Sequence, residues 1–137
     1  MIMGDLIWKG KSSKVKQPWG EQVLWSAPWG TSGKITHLEA GKRTSKKMYK
    51  RKREIIYLLS GKATVLAYGR AEFFDYERDD GTKCYSLEVG DTVLIEPGSV
   101  YRVYADEDST LIEVQAGGGV GENNDGIVRF EDDYGRT

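Results

Sequence analysis

Nowhere in these 137 residues does an apolar pattern hold a helical period; what recurs is a short strand-like run followed by a glycine-containing turn. Residues 22–26 and 34–38 flank Pro28-Trp29-Gly30-Thr31-Ser32-Gly33, and 54–59 is followed by Gly61 and then 63–68. Residues 71–77 and 83–87 flank Asp79-Asp80-Gly81, a hairpin signal, and 92–95, 101–104 and 110–115 supply three more runs. Nine short, closely spaced strands bury their apolar faces only by packing against other strands, so the pattern predicts an all-β sandwich or barrel. Seventeen glycines and eight tyrosines fit that reading, glycine for turns and tyrosine for half-buried strand positions.

The length fits one core: an N-terminal extension over 1–17, a barrel core over 18–115 and a C-terminal tail over 116–137 that packs back on it. A net charge of −1 sets up no field toward nucleic acid or membrane, and neither is an expected partner. No apolar run approaches the roughly 20 residues of a spanning helix. Residues 1–8 have no basic stretch before their short apolar run, so no secretory leader is expected and cytoplasmic residence follows. A lone Cys84 excludes an internal disulfide and a cysteine zinc site, and reads as a half-buried strand thiol. Pro18-Trp19-Gly20 returns as Pro28-Trp29-Gly30, two turns of similar chemistry.

Two blocks carry the chemistry. Gly41 is followed after six, eight, thirteen and twenty residues by Lys47, Tyr49, Glu54 and Gly61. The second block is Gly90-Asp91-Thr92-Val93-Leu94-Ile95-Glu96-Pro97-Gly98, with Tyr101 three residues beyond. Period-two alternation puts Lys47 and Tyr49 on one strand face, and a turn returns Glu54 to the same interior. Arg51 continues that alternation.

These spacings resemble the two cupin motifs, in which residues at such positions converge on a metal inside a barrel. With Pro18-Trp19-Gly20, Leu111-Ile112-Glu113-Val114-Gln115 and Ile127-Val128-Arg129-Phe130-Glu131-Asp132-Asp133-Tyr134-Gly135-Arg136 in order, the chain from about Trp19 onward is similar to one family in particular. That family is the C-terminal cupin domain of the bifunctional mannose-1-phosphate guanylyltransferase/mannose-6-phosphate isomerases, the type II mannose-6-phosphate isomerases. The resemblance implies a cupin double-stranded β-helix (a jelly-roll barrel), a homodimer, and a small anionic carbohydrate as ligand.

The departures fall on the metal ligands. Where the family has glutamine, histidine, glutamate and a distant histidine, this chain has Lys47, Tyr49, Glu54 and Tyr101. A protonated lysine offers no lone pair, and two tyrosines with one carboxylate are weak ligands, so neither a metal nor another cofactor is expected. Glu96 also replaces a usual proline, and the stretch 122–125 carries two extra residues. The Lys47 ammonium is a candidate to take the metal's place and pair with Glu54, the alternative being that it snorkels outward.

Lys46, Lys47, Lys50, Arg51, Lys52 and Arg53 form a basic run. Its commoner meaning is a solvated edge strand protected by charge; the alternatives are an anion-binding barrel mouth and a nucleic-acid patch. Under the second, Arg51 is the best single anion contact. The only histidine, His37, reads as structural or surface-exposed. Trp8, Trp19, Trp25 and Trp29 read as cover for a barrel end or a dimer contact ahead of sugar stacking. Arg129, Glu131, Tyr134 and Arg136 read as ion pairs and caps.

Three functions follow. The first is a cupin that binds an anionic sugar or sugar phosphate through Lys47, Tyr49, Arg51, Glu54 and Tyr101, in carbohydrate or polysaccharide precursor metabolism, with metal-dependent isomerase chemistry lost. The second is an active aldose–ketose isomerase with an altered or metal-free site, Glu54 acting as base and Tyr49 or Lys47 as acid. The third is a structural or regulatory module.

Overall fold

The computed structural model describes residues 7–28, 30–70, 82–117 and 127–135. Among these residues the secondary structure is all strand: β1 (Ser13–Gln17), β2 (Gly20–Ala27), β3 (Thr31–Leu38), β4 (Lys46–Tyr49), β5 (Lys52–Ser60), β6 (Ala63–Arg70), β7 (Lys83–Leu87), β8 (Thr92–Ile95), β9 (Ser99–Ala105), β10 (Ser109–Gly117) and β11 (Ile127–Glu131). They form two antiparallel sheets, β1-β2-β3-β10-β5-β8 and β11-β4-β9-β6-β7, all-β as the strand pattern predicts and a jelly roll as the resemblance implies. β1 lies inside the segment read as an extension and adds an edge strand through register pairs such as Val15↔Gln22.

Alternation along three neighbouring strands divides the interior into two halves. On β5 the inward residues are Lys52, Glu54, Ile56 and Leu58. On β10 they are Ser109, Leu111, Glu113 and Gln115, and on β3 Thr36 and Leu38 are fully buried while Lys34 is half-buried. Register aligns the change from apolar to polar: Leu111 pairs with Leu58 and Thr36, Glu113 with Ile56 and Lys34, and Gln115 with Glu54 and Ser32. The closed half is a hydrophobic core of Leu38, Ile56, Leu58, Val65, Val103 and Leu111 with Trp19 among its members. The other half is lined by titratable side chains.

The glycines framing the two sequence blocks, Gly41, Gly61, Gly90 and Gly98, all have positive φ. Gly61 is the most constrained: a Cβ there would lie 2.2 Å from the Asp108 carbonyl oxygen, so no other residue closes the β5–β6 turn.

The edge-strand reading of the basic run is overturned. β4 lies between β11 and β9, and β5 between β10 and β8. Lys46, Lys47 and Lys52 are only 1%, 7% and 2% exposed. Lys46 points to the outer side of its sheet, with Nζ 3.3 Å from Glu131 Oε2 and 4.0 Å from the Tyr68 ring centroid. Beside it the buried Arg102 bonds the Thr44 carbonyl and reaches Glu131 and Asp133, while Arg43 holds Asp133 at 2.6 Å. A charged cluster thus fastens the 127–135 segment to the second sheet.

Cys84 is exposed on β7, an outer strand, so the half-buried reading is corrected. In the proposed hairpin, β7 pairs with β6 (Ala67↔Lys83); 71–77 and the Asp79-Asp80-Gly81 turn lie outside the described residues.

Candidate functional site

The polar half of the barrel opens into a cavity of about 630 Å³ whose lining includes Lys34, Lys47, Tyr49, Glu113 and Gln115. Lys47 and Tyr49 face it from β4, as alternation requires. Glu54 and Tyr101 are drawn to the same cluster but lie behind that lining: the Tyr101 hydroxyl donates to Glu54 Oε2, and Lys47 Nζ lies 4.7 Å from the Tyr101 ring centroid. Arg51 is not among the lining residues. β4 ends at Tyr49, so the alternation that was to bring Arg51 inside stops two residues early, and Arg51 sits exposed in the turn to β5.

The hydrogen bonds of the cluster run from strand to strand. Gln17 donates to Gln22, Gln22 to Thr36 Oγ1, each at 3.1 Å, and Thr36 donates to Glu113 Oε2. Ser32 donates to Gln115 Oε1 at 3.3 Å, and Gln115 donates to Glu54 Oε2 at 3.4 Å. Lys34 Nζ donates to the Tyr49 hydroxyl at 3.3 Å. Lys47 Nζ donates to Thr44 Oγ1 at 3.2 Å and to the Ser45 carbonyl at 3.5 Å, so its hydrogen bonds go to neutral groups rather than to Glu54.

Glu54 Oε1 is buried and receives no hydrogen bond from an amide, hydroxyl or amine. The Glu113 carboxyl is the neighbour of Glu54 across the strands, and their interaction lowers the Glu54 pKa and raises that of Glu113. The two are diagonal neighbours on paired strands, Glu54 opposite Gln115 and Glu113 opposite Ile56. Burial would raise the Glu54 pKa, but Lys34, the Glu113 proton, Lys47 and the Tyr101 hydroxyl outweigh it and hold Glu54 at about 2. Burial pushes Glu113 up to about 8; Lys34 opposes this and the Glu54 charge adds to it. The pair therefore carries one proton at neutral pH.

The lysines divide in the same way. Burial acts against the Lys34 ammonium, but Glu113, Tyr49 and Glu54 together raise its pKa well above the ordinary value. Burial and the Lys34 charge lower Lys47 to about 8, against the pull of Glu54 and Glu113. Burial raises both tyrosines, with Glu54 adding to the rise of Tyr101. Two ammoniums, two protonated phenols and a carboxyl pair already holding a proton do not fit a divalent cation. Among the described residues no group of three or more His, Cys, Asp or Glu side chains is placed to hold one.

Sequence reasoning missed Lys34, Thr36, Glu113 and Gln115. Their signal was present: in Lys34-Ile35-Thr36-His37-Leu38 and Leu111-Ile112-Glu113-Val114-Gln115, every second residue shares the face of a core leucine. His37 lies on the opposite face, exposed, with Nδ1 3.0 Å from Thr110 Oγ1. Of the tryptophans, Trp19 is buried, while Trp8 and Trp25, 51% and 38% exposed, line the cavity mouth with Arg129. The Trp25 indole lies against Gly33, where a Cβ would come within 2.3 Å of it. Trp29 and Arg136 lie outside the described residues.

No protein-family model matches the chain, and no curated protein sequence does. Solved structures do. The capsular polysaccharide assembling protein CapF from Staphylococcus aureus is similar over 90% of this chain and 33% of its own, at TM-score 0.67 and 13% identity. Oxalate decarboxylase from Bacillus subtilis is similar over 87% of this chain and 30% of its own, at TM-score 0.69 and 12% identity. KdgF from Halomonas sp. is similar over 84% of this chain and 90% of its own, at TM-score 0.62 and 14% identity. The chain thus spans about a third of the length of the first two. These neighbours are cupin-fold proteins, and the likeness shows the fold: a cupin jelly roll.

Proposed function

We propose that the polar half of the barrel binds a small anionic sugar derivative, a sugar phosphate or sugar acid, without a metal. One observation carries this reading: at the cavity two lysine ammoniums face a single carboxylate charge. With Lys34 and Lys47 at +1 each, Glu54 at −1 and Glu113 protonated, these four groups sum to +1 at neutral pH, before the positive Arg129 is added. A desolvated site of that charge favours an anion as counter-ion. Lys34, Lys47 and, at the mouth, Arg129 are its contacts, Tyr49 and Gln115 suit hydroxyl groups, and Trp25 offers an apolar ring face. Arg51 yields its place to Lys34. Similarity to a capsular polysaccharide assembling protein agrees with a carbohydrate setting, in line with the resemblance of the sequence to sugar-phosphate isomerases.

The test is calorimetric titration of the full chain with hexose phosphates, hexuronic acids and the matching neutral sugars. Binding is expected for the anionic members, weakened by salt and reduced at least about tenfold by Lys34→Met, the usual scale for one charged hydrogen bond. Equal affinity for neutral and anionic sugars, or full affinity in Lys34→Met, would end this reading.

A second reading, metal-free aldose–ketose isomerisation, is favoured by the proton-bearing Glu113 at the cavity wall. Glu113, rather than the covered Glu54, is then the carboxyl that meets the substrate.

A further inference from the structure

Two lysines, Lys34 and Lys47, line the same cavity. Lys34 stands opposite Glu113 in the β3–β10 register and donates to Tyr49. Lys47 is as deeply set, yet its hydrogen bonds go only to a hydroxyl and a carbonyl, and its remaining neighbour is the face of Tyr101. Around it stand the Lys34 charge from β3, Glu54 from β5, Glu113 from β10, Tyr49 on its own strand, Tyr101 from β9 and Arg129 from β11. A desolvated amine beside a second, firmly held ammonium is the arrangement that makes a lysine nucleophilic. Lys47 lines an open cavity whose wall also carries the Glu113 carboxyl.

We propose that Lys47 is a carbonyl-reactive amine that forms an imine with an aldehyde or ketone entering the cavity, Glu113 being the acid that releases water. The neutral amine adds to the carbonyl carbon, the π pair moves to oxygen, and one N–H proton passes to that oxygen. Glu113 then protonates the hydroxyl, the C–O bond breaks, water leaves, and the nitrogen lone pair closes the C=N bond. The products are an iminium on Lys47, a Glu113 carboxylate and one water, and no outside oxidant or reductant takes part. At pH 7 an amine titrating at about 8 is neutral in roughly one molecule in ten, against roughly one in three thousand for a lysine at its ordinary value. The inference rests on the cavity being a ligand site, and not on the ligand being an anion.

The experiment treats the full chain with glycolaldehyde, a small neutral carbonyl, adds borohydride to fix any imine as a secondary amine, and maps the modified peptide by mass spectrometry. Modification is expected first at Lys47, ahead of the exposed Lys9, Lys50 and Lys62, with a pH midpoint near 8. Glu113→Gln should slow trapping about 100-fold, the usual scale for a general acid, and Lys34→Met should move the midpoint upward by removing the like charge. Labelling spread over the surface lysines, or a Lys47 midpoint near 10, overturns the proposal on the wild-type chain without any variant having to fold. Anion binding with no trapping at Lys47 defeats this inference alone, and trapping with no anion binding defeats only the reading above it.

Discussion

Glu113 and Glu54 are diagonal neighbours across the β10–β5 pairing, and each accepts a hydroxyl hydrogen bond, Glu113 from Thr36 and Glu54 from Tyr101. Glu113, whose pKa is raised by burial, lines the cavity, and Glu54, whose pKa is lowered by Lys34 and its other neighbours, does not. The pair is therefore neutral toward a ligand and negative toward the core. Its second ionisation is the point at which this changes.

Anion affinity should fall as pH rises through 8. Glu113 loses its proton and Lys47 its charge at about that pH, so the sum over Lys34, Lys47, Glu54 and Glu113 moves from +1 to −1. Calorimetry with one sugar phosphate at pH 6.5 and 9 should show at least about a tenfold loss, equal to one pKa unit of differential interaction. Glu113→Gln should remove about half the effect. Affinity that holds steady across this range would contradict the charge assignment.

Stability carries the same signature with its own sign. The folded pKa of Glu113 lies above its ordinary value of 4.5, so the folded chain holds a proton the unfolded chain has released. This contribution is fully present below about 4.5 and is lost as pH rises toward 8. Glu113→Gln, which keeps the hydrogen-bonding shape, should match wild type in Tm at pH 5 and exceed it at pH 8.5, by about 3 °C per kcal/mol recovered. Glu54 acts in the opposite direction: its stabilising contribution is present above about 4.5 and lost as pH falls toward about 2. Thermal unfolding across pH separates the two.

Two arginines, one buried and one exposed, offer an internal control. Arg102, buried against half-exposed Glu131 and Asp133, should cost about 1.5–3 kcal/mol on change to Ala, the scale of a hydrogen bond to a charged group. Arg53, whose pair with Glu96 is exposed, should cost less than about 1 kcal/mol. Urea unfolding of both variants measures the contrast, and similar values for the two would refute it.

Metal uptake should need four substitutions. Lys47→Gln, Tyr49→His and Tyr101→His restore the ligand types of the family the sequence resembles around Glu54, but leave the Lys34 ammonium beside Tyr49. The triple variant should take up zinc weakly, and adding Lys34→Met should strengthen uptake at least about tenfold, on the scale of removing one close like charge. Wild-type protein should show no isomerase turnover that chelator abolishes. Chelator-sensitive turnover, with zinc recovered in elemental analysis, would restore the metal mechanism.

The all-β architecture was legible because strand alternation and glycine turns are local properties, and the jelly-roll form because the two blocks resemble the cupin motifs. So was the gathering of Lys47, Tyr49, Glu54 and Tyr101, which rests on spacing along two blocks. Glu113 and Lys34 were within reach of the same rule, since each sits two residues from a residue on the core face. Their importance comes from partners on other strands, Glu113 from Glu54 and Lys34 from Tyr49, and no local pattern records cross-strand register. Arg51 failed for a different reason: alternation holds only while a strand continues, and β4 stops at Tyr49. The burial of Lys46 and Lys52 was hidden likewise, because a charge looks solvated until β11 and its carboxylates are set beside it.

β4 is four residues long and carries both Lys47 and Tyr49, yet its register to β9 is the single pair Lys47↔Tyr101. To β11 it makes four pairs, from Ile127↔Tyr49 to Glu131↔Lys46. One wall of the cavity is thus stitched in place by a strand that the chain reaches only after all the others. Order in the binding wall and docking of this strand are therefore coupled. Thermodynamic reciprocity follows: any ligand that needs Lys47 and Tyr49 in position tightens the hold on β11 by the same free energy that β11 lends to the ligand.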